Sequence, residues 1–348
     1  MKSNNKDVLV QIRDMSVTYH TRLGPLSAVS GVSFDIYKGE ILGLVGESGC
    51  GKSTMGKALM RMIMPPGEIS GGQIIFDGED IMQYDDNQMR DFRGRRVSMI
   101  FQDPMTSLNP VQRVDEHLVE AIQVHEPKTP VEAALQRAGA LIEKLGIQRQ
   151  RMRDYPHQLS GGMRQRVMIG LGLVLNANLI VADEATTSLD VIVEAALLDE
   201  FKKLRDEFNL TILLITHNIA LVAQLADRIA VMYAGQMAEI GDVFEVFDDP
   251  LHPYTRGLLL SVPNIKLDER EKLYKMGGEP PNLTRPPTGC RFHPRCPEVM
   301  PICSQLKPTL QEVSPGYLLH CWLYQDHPET FVRRPHVIQH ASDGRHEA

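Results

Sequence analysis

The sequence predicts an α/β protein built around a parallel sheet, and three observations lead there. An apolar run, Ile41 to Val45, feeds the glycine-rich stretch Gly46 to Thr54 (GESGCGKST), and helix-favouring residues follow from Met55 to Met62. Two more short apolar runs, Leu179 to Ala182 and Thr211 to Ile215, end in polar residues, Asp183-Glu184 and Thr216-His217. The stretches around them carry apolar residues at three- and four-residue spacing, the mark of helices. Strands alternating with helices in this way build a parallel sheet.

Strand, glycine loop and helix together are what a phosphate-binding P-loop requires. Gly46, Gly49 and Gly51, with Ser48 and Cys50 between them, let backbone N–H groups converge on an anion without Cβ interference. The helix that opens at Lys52, Ser53 and Thr54 adds its positive end. Lys52 can reach the outer phosphates of a nucleotide, and the Ser53 hydroxyl can ligate Mg²⁺.

With 348 residues, 43% hydrophobic and 23% charged, the composition is that of a globular protein. The net charge of −7 argues against a generic nucleic-acid binder. The opening MKSNNKDVLVQIRD lacks the apolar core of a signal peptide, and no apolar run reaches the length of a membrane span. A cytosolic chain that meets a membrane only through partners is expected.

In order along the chain, Val8 to Val17 alternates like a strand and ends near Tyr19, and Val32 to Tyr37 gives a second strand. Together they suggest an antiparallel β layer beside the parallel sheet. Tyr19 could stack on a purine face, although a strand-end tyrosine is unremarkable by itself. PPGEISGGQ reads as loop, IIFDGEDI as strand and turn, and Arg96 to Phe101 as a strand ending at Gln102. From 103 to 165 a helical block is inserted, with Leu118, Ala121, Ile122, Leu135, Ala138, Leu141, Ile142 and Leu145 at helical spacing. Ser160 reads as the N-cap of the next helix, and Gly161 and Gly162 behind it make a possible second phosphate cradle.

An apolar strand that ends in Asp183-Glu184 downstream of a P-loop supplies the other half of a nucleotide–Mg²⁺ site. Asp183 suits the metal, and Glu184 suits orienting or deprotonating a water. His217, at a strand's C-terminal end, stands where α/β sheets bind ligands. Val191 to Phe208 reads as an amphipathic helix, Asn218 to Ala226 as another, and Arg228 to Tyr233 as a strand.

From about Val262 the composition shifts to Pro, Gly and charge, which predicts an irregular extension over 263–330 and a loosely ordered tail over 331–348. Four of the five cysteines, Cys290, Cys296, Cys303 and Cys321, lie in it, separated by five, six and seventeen residues. Clustered cysteines in a cytosolic chain point to metal rather than to disulfides. From the spacing alone, zinc, an iron–sulfur cluster and unligated thiols all stay open.

Taken jointly, the P-loop, Gln102 after a strand, LSGGM at Leu159 to Met163, LIVADE at Leu179 to Glu184, SLD at Ser188 to Asp190, and His217 resemble the nucleotide-binding subunit of an ATP-binding cassette (ABC) transporter. IFQDPMTSLNP, LSGGMRQRVMI and LHPYTRGLL resemble the dipeptide/oligopeptide and nickel importers of that family more closely. The resemblance covers residues 1–262 as the nucleotide-binding domain. It implies a P-loop NTPase (RecA-like) core with an antiparallel β subdomain and an inserted α-helical subdomain. ATP and Mg²⁺ are the implied ligands. Tyr19 takes the adenine-stacking position, and Ser53, Gln102 and Asp183 serve the metal. Glu184 is the catalytic base, His217 holds the γ-phosphate, and Asp190 couples the two sites of a dimer. Ser160, Gly161 and Gly162 complete the ATP site of the opposite subunit. In the tail, GCRFHPRCP and HCW resemble the importers' extension, which implies a 4Fe-4S cluster on the four cysteines.

The implied partners are a second ATP-binding subunit, two transmembrane permease subunits and an extracytoplasmic binding protein, with this chain on the cytoplasmic face of the membrane. Met163, where the family's usual residue is Gln, hints that the second ATPase is a different chain. Asn218 stands where Asp is commoner. Nickel or oligosaccharide uptake is the alternative solute class. An ATPase acting on nucleic acid or ribosomes is the alternative of another kind, but neither coiled coils nor a second cassette is present to favour it.

Overall fold

The computed structural model describes residues 7–100, 108–184, 201–203, 205–261 and 276–326. Two sheets stack in it. The first is antiparallel: β1 (Val8–Thr21), β2 (Gly24–Tyr37), β4 (Gly67–Phe76) and β5 (Glu79–Asp80) lie in the order β2-β1-β4-β5. The second holds β3 (Ile41–Val45), β6 (Val97–Ile100), β7 (Leu179–Asp183), β8 (Thr211–Ile215) and β9 (Arg228–Tyr233), parallel in the order β9-β3-β8-β7-β6.

Strands β3, β7, β8 and β9 are buried at every residue, as a sheet covered on both faces demands. Their side chains divide with the two-residue period of a strand. Leu42, Leu44, Leu213, Ile215, Ala230 and Met232 pack toward the antiparallel layer with Ile12, Val17 and Phe34. Ile41, Val45, Ile212, Leu214, Ile229 and Val231 pack on the other face. That second core continues into the inserted helices α3 (Val114–His125), α4 (Val131–Lys144) and α5 (Gly161–Leu173), where Leu118, Ile122, Ala138, Ile142 and Leu145 are fully buried. Before them come α1 (Lys52–Leu59) behind the glycine loop and α2 (Asp86–Arg95).

Two expectations change. The stretch read as loop over PPGEISGGQ is mostly strand: β4 starts at Gly67 and pairs with β1 through Tyr19↔Gly67, Thr18↔Glu68 and Val17↔Ile69. The glycine pair marks a register shift rather than a strand end. Gly72 has φ +100°, and a Cβ there would stand 2.6 Å from Met15 Cα. The extension is likewise not wholly irregular. After α6 (Ile219–Leu225), β10 (Gln236–Asp242), α7 (Val243–Asp248), α8 (Pro253–Leu260) and α9 (Pro301–Gln305) comes the hairpin β11 (Gln311–Ser314) and β12 (Tyr317–Leu319). It adds two antiparallel strands beyond β10, with Glu239↔Leu319 and Ile240↔Leu318 in register. Strands of four and three residues are too short to show a period.

Among the described residues no helix is long and apolar enough to cross a membrane. Gln102, Ser188 and Asp190, and most of the helix expected over Val191 to Phe208, lie outside the described residues.

Candidate nucleotide site

The all-buried β3 delivers the chain to a loop whose glycines are compulsory. Gly46 has φ +151°, and a Cβ on it would stand 2.1 Å from Met232 O. Gly51 has φ +105°, and its Cβ would meet Ala28 O at 2.4 Å. Gly49 faces the other way: at φ +76° nothing among the described residues lies within 4 Å of its Cβ position. Inside the loop Lys52, only 4% exposed, donates from Nζ to Gly46 O at 2.8 Å and Glu47 O at 3.1 Å. Its ammonium is thus already held beneath the loop that would embrace phosphates. The Cys50 side chain is buried against Gly46, which raises its pKa, so it packs the loop from behind.

Strand β7 brings the acidic pair to this loop. Ser53 Oγ donates to Asp183 Oδ1 at 2.8 Å. This places the hydroxyl that could ligate Mg²⁺ beside the carboxylate that could reach the metal through a water. Asp183 is 7% exposed, and burial raises its pKa, opposed by the Ser53 hydrogen bond. Next to it Glu184 has φ +48° and donates its N–H to Ile215 O at 2.8 Å. A left-handed glutamate is an uncommon, strained conformation, which is held here by the neighbouring strand. It turns the carboxylate so that Oε1 lies 3.5 Å from His217 Nδ1. His217 follows Thr216, whose N–H donates to Leu44 O at 3.2 Å. Asn218 accepts from Ala220 N–H at 3.1 Å and so caps α6, as an aspartate would.

A cleft of about 650 Å³ opens beside these groups, and Asp183 and His217 are not among its lining residues. Ser48, Gly49, Gly51, Lys52, Ser53 and Thr54 line one end, with Glu184 beside them. Tyr19, Leu26, Ala28 and Leu283 line the apolar end. The Tyr19 ring lies against Gly67, where a Cβ would come within 2.6 Å of it. Ser160, Gly161 and Gly162 are not among the lining residues. Ser160 is exposed and caps α5 by accepting from Met163 N–H at 3.4 Å, and nothing described lies within 4 Å of a Gly161 Cβ position.

The four C-terminal cysteines come together without disulfides. Cys290 N–H donates to Cys303 O at 2.8 Å. Burial chiefly, then the neighbouring thiols, pushes Cys296 up to about 12; Cys321 is raised by burial and by the other three. No three His, Cys, Asp or Glu side chains among the described residues are gathered for a single metal ion. Neither the zinc nor the iron–sulfur expectation therefore meets an assembled donor set among the described residues.

The sequence pattern carried no sign of Leu283 or Gly67 as parts of this site, nor of what holds Glu47 within its loop. Glu47 N–H donates to Tyr254 Oη at 2.9 Å, and both Glu47 carboxylate oxygens accept from Arg295. These partners lie 207 and 248 residues away, beyond the reach of any local period.

A P-loop, a strand-end acid pair at its serine and an aromatic apolar end define a P-loop nucleoside triphosphatase. Comparison with known proteins narrows this. Residues 29–187 match the family model described as ABC transporter, and residues 238–303 match the C-terminal region of oligopeptide/dipeptide transporters. The chain is 43% identical to the dipeptide transport ATP-binding protein DppD of Bacillus subtilis (strain 168), over 93% of this chain and 97% of that one. It is 44% identical to the oligopeptide transport ATP-binding protein OppD of Escherichia coli (strain K12), over 91% and 93%. Among solved structures, cbiO1 of Clostridium perfringens, part of the ABC transporter complex cbiONQ, superposes with TM-score 0.61 at 25% identity, over 70% of this chain and 92% of that one. The chain belongs to the ABC-transporter ATP-binding proteins, in their oligopeptide/dipeptide branch.

Proposed function

We propose that the chain is the ATP-hydrolysing motor subunit of an ABC importer that takes up di- or oligopeptides. The observation that carries this reading is a cleft lined by the P-loop, Glu184 and Tyr19, with Ser53 bonded to Asp183 and Glu184 lying 3.5 Å from His217. Gly46, Ser48, Gly49, Gly51 and Thr54 receive the phosphates, and Lys52 neutralises their outer charge. Ser53, and Asp183 through a water, would hold Mg²⁺, which would offset charge developing on the transferring phosphoryl group. Glu184 takes the proton of the attacking water, and His217 fixes water and γ-phosphate in line. Gln102 joins the metal or water, and Asp190 couples the two sites.

Ser160 and Gly161, exposed at the start of α5 and absent from the lining of the chain's own cleft, support a site completed by a second ATP-binding subunit. Two permease subunits and an extracytoplasmic binding protein complete the importer, with this chain on the cytoplasmic side. Peptides are the favoured solute because the DppD and OppD relatives are dipeptide and oligopeptide transport proteins by name.

Cys290, Cys296, Cys303 and Cys321 hold a 4Fe-4S cluster in this reading. The support for this is the sequence resemblance of GCRFHPRCP and HCW to the importers' extension, together with the mutual proximity of the four thiols. Its contribution is to tie the loops of the extension together.

Reconstitution with partner subunits in vesicles tests the motor: Lys52→Ala and Glu184→Gln should each abolish peptide uptake and ATP hydrolysis. Uptake at the wild-type rate by either variant would sink the reading. For the cluster, anaerobically purified protein should carry iron and acid-labile sulfide that Cys303→Ser loses. Zinc, or no metal at all, would overturn it.

A further inference from the structure

The extension reaches into the nucleotide site at two places. At the apolar end, Leu283 lines the cleft with Tyr19, Leu26 and Ala28. It is fixed there by its own backbone, since Leu283 O accepts from Ser27 N–H at 3.1 Å and Ser27 sits between two lining residues. Arg291 reinforces the seam: Nη2 donates to Ser27 Oγ at 3.3 Å, and Nη1 donates to Ala234 O.

At the phosphate end, Arg295 grips the P-loop. Its Nη1 and Nη2 donate to the two Glu47 carboxylate oxygens at 2.8 and 3.0 Å. Nη1 also reaches Tyr233 Oη at 3.2 Å, and Nε donates to Gly277 O at 3.0 Å. The Arg295 side chain is 4% exposed, so this pair is packed rather than a surface bridge. A two-pronged arginine–carboxylate pair fixes direction as well as charge. Glu47 is held at its N–H by Tyr254 and at its side chain by Arg295, and its carbonyl is one of the two that hold Lys52 Nζ. A carboxylate inside a phosphate-binding loop repels phosphate, and Arg295 cancels that charge.

We propose that the C-terminal extension is a working part of the nucleotide site, with Leu283 as one wall of the base-binding end and Arg295 as a positioning residue that holds and neutralises Glu47. Affinity for ATP then depends on how the extension is seated. This rests on the nucleotide reading of the cleft and goes beyond it, because an extension outside the ATPase core sets the affinity.

The test is equilibrium binding of Mg-ATP and of Mg-tripolyphosphate, which has no base, to the full chain. Leu283→Ala should weaken ATP by about fivefold, the loss of part of one leucine's apolar contact, and leave tripolyphosphate unchanged. Arg295→Gln should weaken both by about tenfold or more, through the uncancelled Glu47 charge beside the phosphates. Adding Glu47→Gln to Arg295→Gln should restore most of that loss, which a purely structural role for Arg295 would not allow. Melting of each variant without nucleotide checks the fold, and Leu283→Ala, at a half-buried position, keeps the test alive if Arg295→Gln does not fold. The inference is overturned if Leu283→Ala weakens both ligands alike or neither, or if the double variant binds no better than Arg295→Gln. Wild-type ATP binding by Lys52→Ala would instead strike the nucleotide reading itself.

Discussion

His217 Nδ1 stands 3.5 Å from Glu184 Oε1, and the two residues end the adjacent parallel strands β8 and β7. The parallel register sets this meeting, since Asp183 is the partner of Ile215, and Glu184, one residue on, meets His217, two residues on. Glu184→Gln keeps the shape but removes the base. In the assembled complex it should lower kcat by about 10²–10⁴-fold with ATP binding retained, as read by steady-state hydrolysis and nucleotide titration. A full-rate Glu184→Gln enzyme would remove the base from this residue.

Gly46 and Gly161 should respond oppositely to an added methyl. Gly46→Ala puts a Cβ 2.1 Å from Met232 O at a positive φ, so the loop must distort. A stability loss of roughly 1–3 kcal/mol and loss of ATP binding are expected from melting and titration of the isolated chain. Gly161→Ala meets open space. It should melt like wild type, bind ATP normally alone, and lose hydrolysis only in the complex.

Gly67 makes room for the Tyr19 ring. Gly67→Ala should push the ring off its seat and weaken ATP several-fold while leaving tripolyphosphate unaffected, because stacking contributes only to the base. Titration with both ligands separates this from a general loss of fold.

Acid should destabilise the chain through His252. This residue is buried, and burial first, then His320 and Arg256, lowers its pKa to about 3. The unfolded histidine titrates near 6.5, so below that pH the unfolded state binds a proton that the folded state refuses. Stability should fall as pH drops from about 6.5 toward 3, with a slope on the order of 1.4 kcal/mol per pH unit. His252→Asn keeps an acceptor for Tyr254 N–H, as Nδ1 is now at 3.0 Å, and should flatten the curve of melting temperature against pH.

The P-loop, the acid pair and His217 were legible because each sits where a run of apolar residues stops, and that boundary survives folding unchanged. Ser160 was legible as a cap because a hydroxyl residue there precedes a helical stretch. Gly71 and Gly72 misled, because a bulge and a loop use the same residue. The hairpin Gln311–Leu319 was hidden by its brevity, and Leu283 by an irregular backbone that only Ser27 N–H anchors. The Glu47–Arg295 pair joins two segments that share no local pattern, so charge and spacing could not announce it.

Strand β12 covers β10, which is buried at six of its seven residues. The outermost strand is then β11, four residues long and exposed throughout, with Glu312 in it. A short outer strand bearing charge discourages sheet-to-sheet joining between molecules. A chain cut before the hairpin would present the otherwise buried β10 as a free template, and light scattering should show it clumping where the full chain stays dispersed.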